Sequence, residues 1–168
     1  MLFSLAVAMY RARESLVAGK IEETSAVTPS EELMKDCIEA WGEGDIAPVR
    51  KALHDDVVWI SAAAKWDDRL RSGGVHRGRA HVLLLLAKIS TGYLNTACRA
   101  KEIVSSGDIV WGVFDFKAEY TGNGQKAAKT VTTEMAFRWR VRDRKILEAR
   151  TFFDTAGLLA QQDQAQAA

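Results

Sequence analysis

The sequence predicts the α+β class, with helices placed ahead of an antiparallel sheet that curls over them to bury its apolar face. Three observations predict it. From Ala127 to Val141 one alternating set reads Ala127, Lys129, Val131, Thr133, Met135, Phe137, Trp139 and Val141, and the other reads Ala128, Thr130, Thr132, Glu134, Ala136, Arg138 and Arg140. Successive side chains of a strand point to opposite faces, so the first set meets a core and the second does not. From Thr96 to Phe153 strand-like segments follow one another, separated only by turn signals at Gly107-Asp108, Gly122-Asn123-Gly124 and Asp143-Arg144-Lys145. That spacing belongs to consecutive antiparallel hairpins. Helical periodicity lies almost entirely before this run.

In chain order, Leu2, Leu5, Met9 and Leu16 fall on one helical face and predict a short amphipathic helix, followed by a polar connector from Gly19 to Val27. Residues 1–27 are thus expected to form a helical extension that packs on the domain or on a partner. Thr28-Pro29-Ser30-Glu31 marks a helix start, with Thr28 capping the amide of Glu31 and Pro29 where its missing donor costs nothing. Leu33, Met34, Cys37, Ile38 and Trp41 carry that helix to Gly42 and Gly44. Asp45 is placed to cap a second, short helix through Leu53, and Val57 to Ser61 reads as a strand.

Ala62 to Gly74 holds no periodicity and is expected to be a surface loop. From Gly78 the run RAHVLLLLAKISTGY is apolar around most of its circumference and too short for a membrane span, which predicts a buried helix ending near Gly92. Strands are expected at about Thr96 to Val104, Ile109 to Tyr120, Ala127 to Val141 and Ile146 to Phe153. Asp154 then starts a last helix, DTAGLLAQQ, so that the domain spans residues 28–161 and residues 162–168 form a frayed tail.

At 168 residues the chain is long enough for one well-cored domain and short for two. A net charge of +1 offers no broad attraction for nucleic acid or an anionic membrane, so neither is expected as a partner. Cys37 and Cys98 lie far apart without metal-ligand spacing, which points to no metal and no disulfide framework, and to a reduced, cytoplasmic setting. The opening MLFSLAVAM lacks a basic leader and a clear cleavage site, and it is too short to span a bilayer before Arg11. Glycine-rich nucleotide loops and nucleophile elbows are also missing, so no cofactor is expected.

Four passages, AWGEGDIAPVRKALHDDVVWIS, HRGRAHV, FKAEYTG and WRVRDRKILEARTFFDTAGLL, give the chain from about Ser30 to Gln161 a family likeness. It resembles the nuclear transport factor 2-like superfamily, the cone-shaped fold shared by SnoaL-like polyketide cyclases, ketosteroid isomerases and limonene-epoxide hydrolases. The resemblance implies an apolar pocket between the long helices and the concave sheet face, with dimerisation through the convex face. It also places the isomerase general base at Ser61, the isomerase tyrosine at Cys37 and its protonated acid at Met135. None of these residue types performs the isomerase's work, so classical steroid isomerisation is not expected. Thr151 falls where limonene-epoxide hydrolases keep an aspartate, whereas a SnoaL-like cyclase needs little more than one acid–base residue.

Two residues are the candidates for such chemistry. His76 stands at the entry to the buried helix and is of the type that titrates in the useful range. Asp154, near the end of the sheet, is suited either to act as a base or to cap the last helix. The expected ligand-binding set is Cys37, Trp41, Trp59, Ser61, Leu85, Phe114, Phe116, Thr133, Met135, Phe137, Thr151 and Phe153, facing a small apolar molecule. Arg69, Arg71, Arg77 and Arg79 form a basic run able to receive an anion or to remain solvated. Asp115, Glu119, Glu134, Glu148 and Arg150 fall on the opposite face, where cross-strand ion pairs account for them. Trp111 and Phe152 are expected on that same face, covered by a second subunit in a homodimer. Two functions remain open: acid–base chemistry of the isomerase, cyclase or lyase type on a bound apolar molecule, and a non-catalytic ligand-binding or dimerisation module.

Overall fold

The computed structural model describes residues 26–61, 70, 73–121 and 129–166. Most of the expected N-terminal extension, most of the aperiodic loop and the Gly122-Asn123-Gly124 turn lie outside the described residues. The elements are α1 (Pro29–Gly42), α2 (Ala47–Ala52), β1 (Leu53–Ser61), β2 (Val75–Arg77), α3 (Arg79–Ser90), β3 (Tyr93–Ser106), β4 (Ile109–Tyr120), β5 (Lys129–Arg142), β6 (Lys145–Phe153) and α4 (Thr155–Gln166).

The start of α1 is the capping box the sequence predicts. Glu31 N donates to Thr28 Oγ1 at 3.3 Å, and Thr28 N donates to Glu31 Oε2 at 2.8 Å. Ser105 Oγ donates to Glu31 Oε1 at 2.8 Å, which ties this cap to the far end of β3. The bond from the Thr28 amide, aided by Ser105, outweighs burial and holds the Glu31 carboxyl below its ordinary range. The apolar face of α1 buries Leu33, Met34, Cys37 and Ile38 against β3 and β4. Two glycines allow this close packing. A Cβ on Gly112 of β4 would lie 2.7 Å from Met34 Sδ, and one on Gly42 would lie 2.4 Å from the Cys98 amide nitrogen.

Asp45 acts at the start of α2 from one residue further out than expected: Ala47 N donates to its Oδ1 at 2.9 Å, while Ile46 occupies the cap position. Leu53 does not end this helix, because the chain there already has extended dihedrals and opens β1.

The six strands run in the order β2-β1-β6-β5-β4-β3 in one curved, unclosed sheet. β3 through β6 form the expected meander, and the β5–β6 hairpin closes on Asp143 and Arg144 with φ of 51° and 57°. Positive φ at both central positions is the requirement of a type I′ turn, whose twist matches the flanking strands. One junction departs from a fully antiparallel sheet: β6 returns beside β1 in the same direction, pairing Trp59 with Ala149 and Ser61 with Thr151. That parallel contact is sterically easy here because a helix and four strands separate the two segments in sequence. β2, a three-residue edge strand, was not anticipated. Two of its residues are exposed, so no hydrophobic alternation announces it.

In β5 the inward residues Val131, Met135, Phe137, Trp139 and Val141 are buried and Thr133 is half-buried, as the alternation requires. α4 runs past the predicted boundary to Gln166, and Gln162 is fully buried rather than part of a frayed tail. The neighbouring Gln161 behaves like an extra strand residue. Its amide accepts from Thr132 N and donates to Thr132 O, both at 2.9 Å, completing the ladder of β5 where the shorter β6 has ended.

Candidate functional site

A cavity of about 50 Å³ lies between the concave face and the helices. Ile38 and Trp41 reach it from α1, Val49 from α2, Leu86 and Ile89 from α3, and Leu158 from α4. The strands contribute Trp59, Tyr93, Phe116, Met135, Phe137, Thr151 and Phe153, and Leu70 completes the wall. An engineered apolar cavity of roughly 150 Å³ holds benzene, so the space here admits a larger guest only when its walls move. Met135, unbranched and flexible, and the half-buried Trp41, Ile89 and Phe153 are the walls best suited to do so.

The polar inventory of this wall is short. Among the described residues it holds the indoles of Trp41 and Trp59, the Tyr93 phenol and the Thr151 hydroxyl, with no carboxylate, ammonium, guanidinium or imidazole. Tyr93 OH accepts a 2.7 Å bond from Gln162 Nε2 inside the protein. Trp41 Nε1 is buried and has no hydrogen-bond partner.

Of the expected ligand-binding residues, Trp41, Trp59, Phe116, Met135, Phe137, Thr151 and Phe153 come together on this wall. The others sit elsewhere. Cys37 is fully buried in the core; burial, aided by Asp36, pushes its thiol up to about 12, so it remains a protonated, inert side chain. Burial does the same to Cys98. Phe114 packs edge-on to Phe137, with centroids 5.6 Å apart, and supports the wall from behind. Ser61 lies beside Thr151 at the end of β1, outside the lining. Thr133 Oγ1 donates to the Glu134 carbonyl at 3.2 Å. Leu85 misses the wall by one position, with Leu86 in its place; in a run as uniformly apolar as VLLLLA no sequence signal selects the inner face. Leu70 comes from an aperiodic segment and offered no signal either. Ile38, by contrast, shares the face that predicted α1, three residues before Trp41.

Neither acid–base candidate lines the cavity. His76 on β2 pairs with Trp59 on β1, and its Nε2 stands 3.1 Å from the Gly73 carbonyl oxygen, a position from which the protonated nitrogen donates. Asp154 is exposed and caps α4: Gly157 N donates to its Oδ1 at 2.9 Å. Of the basic run, Arg69 and Arg71 lie outside the described residues. Arg79 donates to the Leu53 carbonyl at 2.9 Å and pairs with Asp55 at 3.0 Å, fastening α3 to β1, while Arg77 is exposed on β2.

A family profile for the SnoaL-like domain matches residues 34–149. The chain belongs to this family. Known structures share the SnoaL-like fold at low identity. TerC, crystallised with polyporic acid, is 21% identical with a TM-score of 0.67, over 81% of this chain and 99% of that one. IdmH of Streptomyces antibioticus, a proposed polyketide cyclase, is also 21% identical, with a TM-score of 0.66 and coverage of 81% and 99%. A protein with a ketosteroid isomerase-like fold from Catenulispora acidiphila DSM 44928, in complex with trimethylamine, is 18% identical with a TM-score of 0.66, covering 81% and 94%. Among curated proteins the chain has no match.

The convex face of this SnoaL-like sheet carries a different arrangement. Trp111 and Phe152, 42% and 41% exposed, stack at 5.8 Å. Arg138 lies directly opposite both Trp111 and Arg150 across the strands. Glu148 Oε1 accepts from Arg138 Nη1 at 2.8 Å and from Arg150 Nε at 3.0 Å, which offsets the opposed arginines. Lys101 bridges Glu134 at 2.7 Å and Asp115 at 3.6 Å. Of the charges expected to form cross-strand pairs, Asp115, Glu134 and Glu148 do so, whereas Arg150 pairs with Glu148 along its own strand and Glu119 accepts from Asn95 Nδ2 at 2.9 Å. Among the described residues there is no metal-ligating cluster, and no helix is long and apolar enough to cross a membrane.

Proposed function

We propose that this SnoaL-like domain binds a small, uncharged, apolar organic molecule in the cavity beneath its concave face. The observation that carries the reading is the lining itself: thirteen residues from nine elements, together with Leu70, converge on one space, and among these described residues no side chain is ionised. Such convergence of aromatic and aliphatic side chains with a few polar atoms is what small-molecule sites use. The known structures bound to polyporic acid and to trimethylamine lend support at the level of the fold. Because the space is small at rest, binding is coupled to displacement of Met135 and of the half-buried Trp41 and Phe153.

In this reading the domain is a binding module first. His76 orders the Gly73 carbonyl and Asp154 caps α4, and any chemistry draws on the reactivity of the bound molecule. The protein works in a reducing cytoplasm, where its two free, buried cysteines persist, and it pairs with a second copy over Trp111 and Phe152. Observing the Met135 methyl and the Trp41 and Trp59 indoles by NMR during a fragment titration tests the cavity. Shifts that converge on these three groups support it, whereas fragments that move only convex-face signals refute it. Light scattering that gives a monomer at every accessible concentration rejects the homodimer.

A further inference from the structure

We propose that Thr151 is the specificity-determining residue of this cavity: a lone hydroxyl anchor that takes a neutral oxygen, carbonyl or hydroxyl, on an otherwise apolar ligand. The proposal rests on the reading of the cavity as a ligand site and adds the chemistry the ligand must carry.

Thr151 is on β6, between β1 and β5, where its Cα partners are Ser61 and Phe137. Its neighbouring strands cover both flanks, and the residue is 8% exposed and lines the cavity. Among the described residues its hydroxyl has no hydrogen-bond partner. A hydroxyl not engaged within the protein is free to bond a ligand oxygen, and in a wall this apolar that bond is stronger than in water.

The other polar atoms of the wall are less suited to the task. Trp41 Nε1 is fully shielded, Tyr93 OH already accepts from Gln162, and the Trp59 indole can only donate. Among the described lining residues Thr151 combines a donor and two acceptor lone pairs with no partner inside the protein, so it suits a ketone or an alcohol equally well. A carboxylate fares differently: among the described lining residues there is no cationic side chain to give it a counter-charge.

The test uses two nearly isosteric probes, cyclohexanone and methylenecyclohexane, which differ only in =O against =CH₂. Each is titrated into the full chain as wild type, Thr151→Val and Thr151→Ser, with Kd read from the Met135 methyl and Trp59 indole shifts and folding checked by circular dichroism. Thr151→Val is expected to weaken cyclohexanone about fivefold, the usual net worth of a neutral hydrogen bond, and to leave methylenecyclohexane within about twofold. Thr151→Ser is expected to retain the ketone. Equal ketone affinity in wild type and Thr151→Val, or an equal loss for both probes, overturns the assignment while leaving the cavity reading intact. If neither probe moves Met135 or Trp59 in the wild type, the cavity reading falls, and the role of Thr151 with it.

Discussion

Replacing Glu148 with glutamine isolates what holds the convex face together. The substitution keeps the shape and one acceptor but removes the only negative charge between Arg138 and Arg150, which then stand opposed across β5 and β6. Charge-assisted hydrogen bonds contribute about 1.5–3 kcal/mol when shielded, and exposed ion pairs below about 1 kcal/mol. The Arg138 pair has both side chains 22% exposed and belongs near the lower end of the first range; the Arg150 side chain is 45% exposed and belongs to the second. Together they predict a loss of about 2 kcal/mol, or roughly 4–8 °C in Tm for a domain of this size. Burial raises the Glu148 carboxyl, but the hydrogen bond and charge of Arg150, with Arg138 and Arg140, outweigh it and leave the pKa below 4.5. A carboxylate depressed in the folded state stabilises fully above its unfolded value and loses that stabilisation as pH falls through the folded one. Urea unfolding of both proteins should therefore show the full gap at pH 7, with the gap closing below about pH 4.5 as the wild-type carboxyl takes up a proton and comes to resemble glutamine. A gap under about 0.5 kcal/mol at pH 7, or one that persists undiminished in acid, refutes the reasoning. Repeating the measurement at two protein concentrations separates this network from any contribution of a second subunit on the same face.

Two further substitutions probe what shapes the concave side. Gln161→Ala removes both bonds that complete the β5 ladder at Thr132 and should cost about 1–2 kcal/mol; hydrogen exchange at the Thr132 amide should rise while exchange at the Phe137 amide stays unchanged. Gly42→Ala drives a Cβ to 2.4 Å from the Cys98 backbone nitrogen and should destabilise by about 2–3 kcal/mol, because backbone rather than a flexible side chain must yield. Wild-type stability for Gly42→Ala in urea would show that α1 can slide on β3.

The fold was legible because its signals are local or strictly periodic. Thr28 and Glu31 define a cap within four residues, and fifteen residues of alternation leave no doubt about which face of β5 is buried. The candidate site was half legible for a reason visible along the same strand. Alternation separates concave from convex, but among concave residues it does not separate Met135 and Phe137, which reach the cavity, from Trp139, which is sealed in the core. That distinction depends on depth in the cone, set by helices whose rotation about their axes is invisible in an all-apolar run, as the exchange of Leu85 for Leu86 illustrates. Gln162 departs from the loose tail that its polarity predicts; the buried hydroxyl of Tyr93, 69 residues earlier, accounts for its burial.

The position of the polar groups bears directly on what the cone can do. General acid–base catalysis needs a group that titrates near the working pH and stands within hydrogen-bond reach of the reacting atom. The three positions that the resemblance assigns to an isomerase's groups hold a thiol kept protonated in the core, a serine outside the lining and a thioether on the wall. The histidine is bonded to a backbone carbonyl on the neighbouring edge strand, and the wall offers hydroxyl and indole groups instead. Such groups orient a ligand by its oxygen and exclude water from it, and that positioning is a substantial part of catalysis when the ligand is itself reactive. A molecule able to cyclise or rearrange once held in one conformation would need no more from the protein, whereas one requiring proton abstraction from carbon would find no base among the described residues of the lining. The Thr151→Val comparison thus bears on more than specificity, because it tests the group on the wall best placed to fix such a conformation.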